Sequence, residues 1–71
     1  MLLGKLYSEP FGHDERISLV MDDGGGIIRA TPSPDYAWVV ETYSAPLDKW
    51  EYAGRATTRD DALGLIFLIA R

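Results

Sequence analysis

Polar and apolar residues alternate along most of this chain, and the period changes near its end. Over residues 16–21, Ile17, Leu19 and Met21 fall on one side and Arg16 and Ser18 on the other, the period of two expected of a half-buried strand. Asp22 and Asp23 run into Gly24, Gly25 and Gly26. Glycine there supplies the positive φ that a tight hairpin turn needs, so residues 27–31 read as the returning strand. Residues 36–43 are dense in aromatic and β-branched side chains, which suit a pleated surface. Period two puts Tyr36 and Trp38 on one side of that strand and Tyr43 on the other. After a turn over 44–48, residues 49–56 alternate again, with Trp50 and Tyr52 on one face and Lys49, Glu51 and Arg55 on the other. At the start of the chain, Leu2, Leu3, Leu6 and Tyr7 predict a short strand ended by Ser8, Glu9 and Pro10, because proline lacks a ladder donor. Residues 11–15 then read as a loop.

The period lengthens after Thr57. Thr58 can cap a helix with its hydroxyl, Asp61 stands three residues on, and Asp60 and Asp61 sit where the helix dipole favours negative charge. At 100° per residue, Ala62, Leu65, Ile66, Ile69 and Ala70 share one face. Phe67 and Leu68 flank the opposite face beside Gly64 and Arg71. Strands followed by one helix predict an α+β fold: a four- to five-stranded antiparallel sheet with a single C-terminal helix on one face. In that arrangement Leu65, Ile66 and Ile69 cover Ile17, Leu19, Trp50 and Tyr52. The whole of 1–71 is one domain. The apolar stretch 62–70 falls well short of the ~20 residues that cross a bilayer, and the helix lacks the basic polar face of a membrane-surface helix. No membrane contact is expected.

Size sharpens the argument. A 71-residue chain buries about 60% of the surface that its unfolded form exposes, and small domains often add a disulfide, a metal or a second subunit. There is no cysteine and only one histidine, which leaves oligomerisation or an efficient core. The absence of cysteine fits a cytoplasmic protein. Net charge is −4, which disfavours nucleic acid, whose backbone is bound largely by lysine and arginine. It favours a protein partner with a basic surface.

Candidate chemistry is sparse. His13, Asp14 and Glu15 are adjacent loop residues, and neighbours on a loop rarely converge on one metal or proton. Asp22 to Gly26 lacks the lysine and hydroxyl residue that close a phosphate loop, and lacks the alternate carboxylates of a calcium loop. No cofactor, metal or catalytic group is expected, and the chain reads as a non-enzyme. The aromatic residues are too many for one small core face, and exposed tyrosine and tryptophan are characteristic of interfaces.

In size, acidity, lack of cysteine and sheet-plus-helix pattern, the chain resembles small acidic inhibitors encoded by phages and mobile elements, such as anti-CRISPR proteins. The resemblance implies a non-catalytic protein-binding module that blocks a basic, nucleic-acid-binding surface of its target in the host cytoplasm. Its expected partner-binding residues are Asp14, Glu15, Asp22, Asp23, Tyr36, Trp38 and Tyr43. An alternative is a small homodimeric structural or regulatory subunit joined through Gly64, Phe67 and Leu68. A further alternative is a weak binder of single-stranded nucleic acid through the sheet aromatics.

Overall fold

Five consecutive strands form one antiparallel meander in the order β1-β2-β3-β4-β5. The strands are Gly4–Phe11, Asp14–Met21, Ile27–Pro32, Trp38–Ser44 and Lys49–Ala56, and a single helix, α1, follows at Arg59–Ile69. The structure is a computed structural model that describes residues 4–22, 26–35 and 37–70. The expected features at Leu2, Leu3, Asp23 and Tyr36 lie outside the described residues.

The fold class is the α+β sheet-plus-helix expected from the alternation. The first hairpin differs from expectation. β1 continues through Pro10 to Phe11, and β2 already begins at Asp14. The turn is therefore only Gly12 and His13, with Gly12 at φ 65°. Glycine at the first central position of a two-residue hairpin is what its left-handed backbone requires. Pro10 is tolerated because β1 is an edge strand, where a missing N–H need not break a ladder.

The core lies between the sheet and α1. Ile17, Leu19, Ile28, Ala30, Trp38 and Val40 line the sheet side and Ala62 and Ile66 the helix side, all of them buried. Helix start and stop follow local rules. Thr58 is extended and its side chain accepts a hydrogen bond from the Asp61 N–H at 3.1 Å, while Ala70 N–H bonds to the Ile66 carbonyl at the other end. The helix packs across β3, β4 and β5.

One irregularity sets the phase of β5. Val40 pairs with Gly54 but Glu41 pairs with Tyr52, so Ala53 is an extra, unpaired residue: a β-bulge. Without it, Trp50, Tyr52, Gly54 and Ala56 would share a face. With it, Gly54 and Ala56 turn to the helix, while Trp50, Tyr52 and Arg55 turn away. The small residues fit there: a Cβ at Gly54 would stand 2.9 Å from Leu65 Cδ2. Two expectations are thereby corrected. Trp50 and Tyr52 are not under the helix, and Arg55 shares their face instead of opposing them.

Thr31 Oγ1 is buried without a hydrogen-bond partner among the described residues. An unpaired buried hydroxyl costs about 1–3 kcal/mol, and valine has the same shape. Thr31→Val is expected to raise the urea midpoint of unfolding or leave it unchanged; a lower midpoint would show that the hydroxyl is satisfied. Ile66 is fully buried and Phe67 is 40% exposed. Ile66→Ala should cost about 2–5 kcal/mol, and Phe67→Ala clearly less, by the same measurement.

Candidate functional site: the helix-free face of the sheet

The register defines what the uncovered side of the sheet carries. Glu9 pairs with Arg16, Tyr7 with Ser18 and Lys5 with Val20. Ser18 pairs with Arg29 and Val20 with Ile27, Arg29 with Glu41 and Ile27 with Tyr43, and Glu41 with Tyr52 and Tyr43 with Trp50. Directly opposed residues share a face. One row across the five strands thus reads Tyr7, Ser18, Arg29, Glu41, Tyr52, and the next Lys5, Val20, Ile27, Tyr43, Trp50. None of these side chains touches the core under α1.

Arginines and aromatic rings on this face are layered. Arg29 Nε donates to Glu41 Oε1 at 3.1 Å, and its guanidinium lies over the Trp50 ring, 3.6 Å from the centroid. Trp50 in turn meets Tyr43 in a tilted pair with centroids 5.4 Å apart. At the other side of the sheet Arg16 Nε donates to Glu9 Oε1 at 2.8 Å and sits 5.0 Å from the centre of Phe11. Guanidinium over an aromatic face is attracted by the ring quadrupole, so each arginine is fixed by both a carboxylate and a ring. Tyr7 and Tyr52, at the two edges, remain 54% and 66% exposed.

The expected site residues are scattered by the fold. Tyr43 is on this face, half-buried, and its hydroxyl donates to Asp48 Oδ1. Trp38 is only 8% exposed and belongs to the core; its position on the opposite side from Tyr43 follows from the alternation, but burial under α1 removes it as a partner contact. Glu15 faces the helix side, where it accepts from Ser8 Oγ at 2.6 Å and from Arg59 Nε at 2.5 Å. Those bonds, the Ser8 one foremost, hold its carboxyl below the ordinary glutamate range. It is engaged in tying β2 to the helix start and is not a free acid. Asp14 and Asp22 are exposed but stand at opposite ends of β2, about 25 Å apart at ~3.3 Å per residue. They do not form one acidic patch. On the helix, Gly64, Phe67 and Leu68 are exposed, and Leu68, at 57%, borders β5 with Arg55 and Leu65. The sequence pattern by itself does not mark Tyr7, Trp50 and Tyr52 as contacts. The alternation in β5 offered Trp50 and Tyr52 as a pair, but not which side the helix would take.

No group of three or more histidine, cysteine, aspartate or glutamate side chains converges as a metal site among the described residues. No helix there is long and apolar enough to cross a membrane.

The Tyr43 hydroxyl is shifted upward, first by its hydrogen bond to Asp48, then by desolvation and by the Asp48 charge. A raised folded pKa means that the native state keeps the proton longer than the unfolded chain. The contribution is complete below the unfolded tyrosine value of about 10 and is lost as pH rises through the folded one. Alkaline titration by ultraviolet absorbance should show Tyr43 ionising above the usual tyrosine range, and Asp48→Asn should bring it down. An unchanged curve in that variant would mean that the bond does not persist in solution.

Comparison with protein-family models, curated proteins and solved structures finds no match.

Proposed function

We propose that this protein is a non-catalytic protein-binding module whose contact surface is the helix-free face of the sheet. The observation that carries the reading is the grouping of Tyr7, Tyr43, Trp50 and Tyr52 with Arg16 and Arg29 on one face. Tyrosine, tryptophan and arginine are the residues that dominate binding energy at interfaces. Rings and guanidiniums held by neighbours lose little entropy when a partner docks. The action such a face allows is occupancy: it covers a partner's surface and excludes what would otherwise bind there. An anti-CRISPR-like inhibitor is one form of that action. In this form the sheet aromatics are the anchors, and Asp14 and Asp22 lie at the rim and affect encounter more than affinity.

The same rings and arginines could stack single-stranded nucleic acid. Net charge argues against it: eleven acids outnumber seven bases, and affinity for a phosphate backbone comes largely from lysine and arginine. A protein surface of mixed charge suits the face better. A second reading is self-association through the helix, favoured by the exposure of Phe67 and Leu68.

A tagged wild-type chain and two double variants, Tyr7→Ala/Tyr52→Ala and Asp14→Lys/Asp22→Lys, separate these readings in a capture experiment against lysate of the native host. The tyrosine variant should lose the captured partner by tenfold or more, at about 1.4 kcal/mol per decade. The charge-reversed variant should lose less, and mainly at low salt. The reverse order would transfer the site to the acidic loops. Light scattering reports the helix reading: a dimer abolished by Phe67→Asp/Leu68→Asp supports it, and a concentration-independent monomer removes it.

A further inference from the structure

We infer that the helix-free face contains a specific subsite for a carboxylate side chain of the partner, centred on Ser18. This assignment rests on the proposal that the face binds protein. A shallow depression of about 230 Å³ lies there, lined among others by Tyr7, Arg16, Ser18, Val20, Arg29 and Trp50. Its shape follows from the register. Arg29 stands directly opposite Ser18 on β3, and Arg16 is two residues before Ser18 on β2, on the same face. Arg16 is drawn toward β1 by Glu9 and Phe11. Arg29 is drawn toward β4 and β5 by Glu41 and Trp50. The two guanidiniums splay apart, and the small serine between them leaves a hollow with a hydroxyl on its floor.

The donors bordering that hollow suit a carboxylate. Each arginine bonds its glutamate through Nε, and among the described residues the Nη groups make no hydrogen bond to a protein group. Guanidinium carries five N–H donors in a planar fork, so a single Nε bond leaves the Nη donors for a second oxyanion. The Ser18 hydroxyl likewise has no side-chain partner among the described residues. Val20 and Trp50 are apolar and Tyr7 is an exposed ring, which places an apolar or aromatic contact beside the anion. At about 230 Å³ the depression has room for one acidic side chain. Glu9, on its rim, opposes the doubly charged phosphate more than the singly charged carboxylate.

The probe is the blocked dipeptide acetyl-Glu-Tyr-amide, titrated into the 15N-labelled full chain, with the glutamine analogue and inorganic phosphate as comparisons. Saturable shifts are expected at the Ser18 amide, the Arg16 and Arg29 Nε–H and the Trp50 indole N–H. Binding should weaken about tenfold or more with the glutamine analogue, the loss expected for a hydrogen bond to a charged group. Ser18→Val fills the floor with a residue that suits a strand and should abolish the shifts while the spectrum stays native. Arg29→Gln should weaken binding independently. Equal affinity for the glutamate and glutamine peptides, or shifts unaffected by Ser18→Val, would overturn the assignment. Phosphate saturating the same signals at lower concentration than the peptide would overturn it in favour of a phosphate group. The titration uses no natural partner, so a negative result here together with partner loss in Tyr7→Ala/Tyr52→Ala rejects the subsite and keeps the binding face. A positive result with undiminished capture does the opposite.

Discussion

A single helix cannot cover both sides of a sheet. The 11 residues of α1 make a rod about 16 Å long and about 10 Å wide, whereas five strands at about 4.8 Å spacing span roughly 19 Å between the outer two. The helix therefore covers one face, where it packs chiefly over β3, β4 and β5 and shares a core with Ile17 and Leu19 of β2. Leu6, paired with the buried Leu19, is on the helix side yet stays 44% exposed, because α1 packs chiefly over β3, β4 and β5. Everything on the other face must be stable in water without a layer above it.

That face meets the requirement with side chains that serve as their own cover. Arg29 lies on Trp50, Trp50 meets Tyr43, and Arg16 lies near Phe11. Long arginine stems shield apolar surface while their charged ends stay solvated. Carboxylates from neighbouring strands hold those ends in place. Exposed ion pairs contribute little to stability by themselves. Their consequence here is geometric, because they fix where guanidinium groups and rings stand on the bare face. Under the proposed function, the same layering that protects the bare face also prepares it for contact.

The bulge at Ala53 connects the two sides. Leu65 needs room over β5, and Gly54 gives it. Trp50 and Tyr52 are too large for that space. One extra residue shifts the pleat by one position, so β5 shows small residues to the helix near its end and large rings to the open face near its start. Core packing and surface composition are settled by the same local irregularity.

Much of the fold was legible in the chain. Alternation at Ile17, Leu19 and Met21 marked β2 and its buried side, glycine after aspartate marked a hairpin, and Thr58 with Asp60 and Asp61 marked the helix start, because strand pleat, turn sterics and helix capping are all local effects. The continuation of β1 through Pro10 was not legible, since proline is disfavoured chiefly where its missing N–H would be needed for a ladder bond, and edge position is a property of the whole sheet. Nor was the surface. Trp38 and Tyr43 were equally eligible as contacts until packing buried one and left the other on the open face. Glu15 looked like a free acid until the fold brought Ser8 to it across the first hairpin and Arg59 from the far end of the chain. Sequence determined which segments are strands and which is helix, and the buried side of β2; only the tertiary structure decided which side of β5 the helix would take, because that choice depends on the bulge and on shape and reach between residues far apart in the chain.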